Sequence, residues 1–201
     1  QLPIMENFHS LWNAKFPNKL PISHLFHHYF YEFWFRIHSL PESKRYAETK
    51  EEFALLLSRH NQIITNCFGL NTPIYIVTGH YFYPESDPSK YHPKDILHYN
   101  LNSTPSINLH QAAPNIFDDG ESNDLCFTSL YVQTNWNPNT HNDLLFKIAD
   151  DQVEGFLISF EKNIIVAPYD GGIDFIIQDD SFKQQLKEKY RDWLSSRADG
   201  L

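Results

Sequence analysis

His24, His27 and His28 recur at the i, i+3, i+4 spacing that sets side chains on one face of a helix. Such a face could present imidazoles to zinc, but zinc takes a further carboxylate or thiolate, and no neighbour is spaced to supply one. The other histidines are scattered (His9, His38, His60, His80, His92, His98, His110, His141), so surface or half-buried imidazoles are expected and no metal or cofactor is assigned. Carboxylates pair at Asp150-Asp151, Asp179-Asp180 and Asp170/Asp174, which suits general acid–base work only if they converge in a cleft. Structural roles fit them more simply. Asp179 and Asp180 stand at the positive end of a helix starting near Ser181, and Asp170 suits a turn. The run Asp118-Asp119-Gly120-Glu121-Ser122-Asn123-Asp124 has the acids of a calcium loop, but its Gly is third rather than sixth. Cys126 and His141 could be cast as thiol and base. An acidic neighbourhood raises a thiol pKa, however, so Cys126 is expected to be a buried structural cysteine.

Seven glycines leave no phosphate-cradling loop, and neither G-x-S-x-G nor H-E-x-x-H occurs. No catalytic residue is assigned. The 201 residues suit one domain, and 16 Phe, 11 Tyr and 4 Trp supply a sizeable core. No apolar run approaches the ~20 residues of a membrane helix. Two cysteines, Cys67 and Cys126, make no disulfide framework, and no signal-like segment opens the chain, so a cytosolic protein without a membrane partner is expected.

The net charge of −9 is unevenly distributed. Residues 1–100 balance nine basic against nine acidic side chains, whereas residues 101–201 hold seven against sixteen. No Lys or Arg occurs between positions 95 and 146, and from Asp118 to Asp180 thirteen acids face only Lys147 and Lys162. Phosphates are bound by displacing their counterions with Lys and Arg, so this half is not expected to hold nucleic acid. A negative surface would instead keep the chain soluble or receive a basic partner.

The elements that must carry these residues follow from periodicity. Met5, Phe8, Leu11, Trp12 and Phe16 predict a short helix over 5–16, stopping before Pro17. A helical turn over 22–27 and a strand near 30–38 are expected next, the latter from alternation of Phe33, Phe35 and Ile37 with Trp34, Arg36 and His38. Thr49 and Glu52 form a capping box, the apolar stripe Phe53, Leu56, Leu57, His60, Ile63, Ile64, Cys67 follows, and Gly69 sits at the C-cap. Strands are predicted over 74–78 and 126–134, a short helix over 141–149, and an irregular stretch over 84–124. Phe156–Phe160, Ile164–Ala167 and Ile173–Ile177 read as three strands joined by tight turns, hence an antiparallel meander. Ser181 to Gln184 reads as a second capping box, and Phe182, Leu186, Tyr190, Trp193 and Leu194 as a helix over 182–195 packed on that meander. The expected fold is a single α+β domain over 1–201, an antiparallel sheet packed against helices.

Ile164-Ile165-Val166-Ala167-Pro168-Tyr169-Asp170-Gly171-Gly172-Ile173-Asp174-Phe175-Ile176 and Leu186-Lys187-Glu188-Lys189-Tyr190-Arg191-Asp192-Trp193-Leu194 resemble the end of a bacterial family, domain of unknown function 3885. That family shows a Tyr-Asp-Asp-Arg-Gly-x-Asp turn between strands and a helix ending Tyr-x-x-Trp-Leu. Tyr169, Asp170, Gly172, Asp174, Tyr190, Trp193 and Leu194 match, while the second Asp and the Arg of the turn are absent and the turn is one residue shorter. The recognisable segment is 155–195, and Phe35-Arg36-Ile37 is similar to the family's upstream Arg-Phe element. Small cytosolic proteins of this kind look like immunity partners of bacterial toxins in contact-dependent and other polymorphic systems. The resemblance therefore implies a non-enzymatic immunity protein whose partner is a cognate toxin, of a basic nuclease type. Its acidic face would use Asp118, Asp119, Glu121 and Asp124 first, then Asp170 and Asp174, to pair with Lys and Arg of the toxin. The alternative is a metal-dependent hydrolase using the histidines and paired acids.

Overall fold

A computed structural model describes residues 7–85, 92–118 and 123–201. The helices are α1 (Phe8–Lys15), α2 (Phe26–Tyr29), α3 (Lys50–Phe68), α4 (Pro93–Ile96), α5 (Leu109–Ala112), α6 (Pro114–Phe117), α7 (Asn142–Ala149) and α8 (Asp180–Lys189). The strands are β1 (Trp34–His38), β2 (Thr72–Phe82), β3 (Asn102–Ser103), β4 (Ile107–Asn108), β5 (Cys126–Trp136), β6 (Gly155–Ser159), β7 (Ile164–Tyr169) and β8 (Gly172–Ile177). They form one antiparallel sheet in the order β1-β8-β7-β6-β2-β5-β3, with β4 beside β5. The fold class is the expected α+β. No helix among the described residues is long and apolar enough to cross a membrane.

The chain divides into two compact units, residues 1–22 with 77–132, and residues 23–76 with 133–201. In the first, α1 buries Phe8 and Trp12, and the Trp12 indole N–H donates to the Lys19 carbonyl at 2.7 Å. The described residues of the stretch 84–124, expected to be irregular, contribute three one-turn helices and two two-residue strands to it.

The second unit holds the meander. β6 and β8 are buried throughout, as is all of β7 but its last residue, Tyr169. Strands buried on both faces read as continuous apolar runs rather than alternations, and Ile164-Ile165-Val166 is such a run. α3 and α7 pack on β7, and α8 on β8. Helix α3 begins on the expected capping box, with Thr49 Oγ1 accepting from the Glu52 amide and the Glu52 carboxylate accepting from the Thr49 amide.

Three expectations are corrected. The strand placed near 30–38 starts only at Trp34, because residues 26–29 and 31–33 are helical and the turn between them stacks Phe30 edge-on against Phe26 at 5.7 Å. The second capping box is absent at Ser181, since Asp179 is the N-cap and its carboxylate accepts from the Phe182 amide at 3.0 Å. The helix placed over 182–195 ends at Lys189 and gives way to a 3-10 turn over Arg191–Trp193. Tyr190 is held there by Asn66 of α3, and Leu194 pairs with the backbone of Ile37, which an unbroken helix could not do.

Candidate functional site

The family-like residues converge where β1 meets the β7–β8 hairpin. Arg36 of β1 lies directly opposite Asp174 of β8 in the antiparallel register, so both side chains leave the same face of the sheet. Arg36 Nε donates to Asp174 Oδ1 at 2.6 Å and Nη2 to Oδ2 at 2.9 Å. This is the two-pronged geometry that makes Arg the preferred partner of a carboxylate in a confined place. Asp174 is only 6% exposed, and an ionised group there requires such a partner. Burial alone opposes the Arg36 charge, but the hydrogen bonds and charge of Asp174 outweigh it and raise its pKa above the ordinary value.

Two rings cover the pair. The guanidinium carbon lies 4.5 Å from the Tyr169 ring centre and 5.6 Å from that of Trp34, within cation–π range. Burial pushes the Tyr169 phenol up to about 12. Gly172 makes this approach feasible. A Cβ built on it would lie 1.9 Å from the Ile37 carbonyl oxygen and 2.9 Å from the Tyr169 hydroxyl, so only glycine fits against β1.

Asp170, in the turn of the same hairpin, is held from elsewhere. Arg45 Nε donates to Asp170 Oδ2 at 2.7 Å and Tyr46 Oη donates to the same oxygen at 2.8 Å. The hydrogen bond to Asp170 raises the pKa of both donors. A cleft of about 280 Å³ opens beside this group, and its wall includes His24, Arg45, Asp151, Glu154, Tyr169 and Asp170.

The turn is also tied into the interior. The Ser39 amide donates to the Gly171 carbonyl at 3.1 Å, and Ser39 Oγ lies 2.7 Å from His60 Nε2. Ser39 and His60 are both fully buried, and His60 Nδ1 has no partner. Burial lowers the His60 pKa to about 3, so the ring is neutral. The pair has nucleophile–base spacing, yet both residues are sealed from solvent.

The other sequence candidates fall as follows. Asp118 and Asp124 are exposed, while Asp119 and Glu121 lie outside the described residues. Asp170 and Asp174 are buried, with carboxylates engaged by Arg45, Tyr46 and Arg36. Asp180 pairs with Lys183 at 3.2 Å, and Asp150 accepts from Gln152. His24 and His28 are exposed and His27 is half-buried, its ring 4.2 Å from that of Trp34. Among the described residues no three His, Cys, Asp or Glu side chains gather as a metal site. Cys126 is half-buried, short of the expected full burial, and its thiol points to the Asp124 carbonyl; Cys67 is the buried one, its pKa raised by burial. Sequence reading missed Arg45 and Tyr46 entirely, and nothing in their local spacing marks them.

No curated protein matches the chain, and no solved structure does. The family model of a domain of unknown function, DUF3885, matches residues 22–198, a span that includes Arg36, Arg45, Tyr169, Asp170, Gly172 and Asp174, and the chain belongs to that family.

Proposed function

We propose that the protein is a non-enzymatic cytoplasmic binding protein, an immunity protein that neutralises a basic, nuclease-type bacterial toxin by tight association. The observation that carries this reading is the segregation of charge: from Asp118 to Asp180 thirteen acids stand against two bases. Most of those acids reach solvent, including Asp118 and Asp124 in the first unit and Asp150, Asp151, Glu154 and Glu161 in the second. A negative surface of this kind presents carboxylate charge where a nuclease would otherwise meet phosphate, and it speeds encounter with a basic partner. Asp118, Asp119, Glu121 and Asp124 are the first docking residues in this reading. Asp170 and Asp174 contribute by holding Arg45, Tyr46 and Arg36 in place, and Asp151 on the cleft wall adds an exposed carboxylate in the second unit.

The test is affinity capture on the full chain from native cells, washed with rising salt, followed by co-expression of whatever basic protein is retained. The expected result is one protein at near-equal stoichiometry, released by salt, that halts growth alone and is harmless beside this chain. Reversing Asp118 and Asp124 to Lys should then slow association at least tenfold and flatten its salt dependence. A retained protein that is not toxic, or association indifferent to the reversal, overturns the assignment.

A further inference from the structure

A second pocket of the same unit has chemistry opposite to that of the acidic surface. It encloses about 440 Å³, within the range of small-molecule sites. Its wall includes Tyr31 and Trp34 before and within β1, Arg36 of β1, Lys183 and Lys187 of α8, and Arg197 of the C-terminal tail. Lys183 and Lys187 stand one helical turn apart, which puts both on the same side of α8. Four cationic side chains in one concavity are notable in a chain of net charge −9.

Several of the donors here lack an acceptor. Arg36 uses Nε and Nη2 on Asp174, which leaves Nη1. Arg197 uses Nε and Nη2 on Asp199, which again leaves Nη1. Lys187 is in no ion pair among the described residues. The Trp34 indole is 8% exposed, and its buried N–H has no partner at all. Buried donors are rarely left unpaired in native proteins, and this one belongs to a residue of the pocket wall. Lys183, by contrast, is engaged by the Glu32 carbonyl at 2.7 Å and by Asp180.

The pocket also has an aromatic side. Tyr31 is 65% exposed, and it lies nearly parallel to Trp34, 18° between planes. Gly200, at φ +76°, passes close over the Trp34 ring, so the tail lines the pocket without a side chain in the way. An exposed Tyr31 ring beside Lys187 and the spare N–H groups of two arginines is what a flat ring carrying an anionic group requires.

We infer that this pocket binds a nucleoside phosphate, its base stacked on Tyr31 and its phosphates received by Lys187 and the remaining N–H groups of Arg36 and Arg197. Glu32 is the lining carboxylate outside an ion pair, and it sets a limit on affinity by like-charge repulsion.

The experiment is calorimetric titration of the full chain with ADP, adenosine and inorganic phosphate. ADP should bind at least tenfold more tightly than either fragment, because only ADP satisfies both the ring and the cations. Lys187→Glu should weaken ADP at least tenfold. Tyr31→Ala should weaken ADP and adenosine about tenfold and leave phosphate unchanged. Glu32→Gln should tighten ADP a few-fold. Tyr31 and Glu32 are exposed and Lys187 is half-buried, and unchanged unfolding midpoints confirm that the variants fold. The inference is overturned if ADP binds no better than phosphate, or if Lys187→Glu and Tyr31→Ala both leave ADP affinity intact. No protein partner enters these titrations, so the ligand reading and the toxin reading stand or fall separately.

Discussion

Asp174 lies in a strand whose six residues are all buried, whereas Asp118 follows a one-turn helix and stands in solvent. The side chains are identical, and their surroundings give them opposite tasks. Around Asp174 the carboxylate has lost water, so it must be matched by a guanidinium at bonding distance, and the two together fix the spacing of β1 and β8. At Asp118 water does the solvating, no geometry is imposed, and the charge remains available to a partner. An acidic count along the sequence treats the two as equal; burial separates structural acids from those that can meet another molecule.

The difference can be broken from either end. The largest effect is expected at Gly172→Ala, which drives a Cβ into the Ile37 carbonyl and parts β1 from the hairpin. Urea unfolding should show a loss of at least about 4 kcal/mol or no folded protein. Asp174→Ala comes next, since it leaves Arg36 half-buried without its carboxylate, and about 3 kcal/mol should be lost. Replacing both partners, Arg36→Met with Asp174→Leu, should recover most of that loss.

A third expectation concerns pH and the Ser39–His60 tie to the same turn. The folded His60 pKa lies near 3 and the unfolded one near 6.5, so below pH 6.5 the unfolded chain takes up a proton that the folded chain refuses. Stability is therefore complete above about pH 6.5 and falls as the solution is acidified towards pH 3. From pH 6.5 to 5.5 this one group should cost about 1 kcal/mol. A His60→Gln variant should show a shallower slope over that interval. The smallest effect belongs to Asp118→Asn with Asp124→Asn, which should leave the urea midpoint where it is. A marked shift there would erase the distinction between the two kinds of acid.

Much of the framework was readable along the chain because it is local. Thr49 and Glu52 are three residues apart, and the meander strands are linked by turns of a few residues, so spacing alone locates α3 and β6 to β8. Local competitors displaced two boundaries, the Phe26–Phe30 turn before β1 and the Asp179 cap of α8, and a distant contact displaced the third. The apolar stripe of Tyr190, Trp193 and Leu194 has helical spacing, but the bridge to Ile37 ends the helix early. The site was legible in part. Tyr169, Asp170, Gly172 and Asp174 stand out as a cluster, but Arg36 lies 138 positions from Asp174, and Arg45 lies 125 from Asp170. No periodicity announces such pairs, since they exist only once the sheet has aligned its strands. The pocket lined by Tyr31, Lys187 and Arg197 is gathered in the same way, from segments far apart in sequence.

The bridge between Ile37 and Leu194 has one more effect. β1 ends the strand order, with β8 on one flank and a row of backbone groups on the other. A bare flank of this kind invites the strands of other molecules and so the growth of intermolecular sheets. The strand has only five residues, carries the charge of Arg36, and is crossed on its open side by the chain at Leu194. The residues that interrupt the last helix thus also cover part of the flank of β1 on which a foreign strand would have to pair.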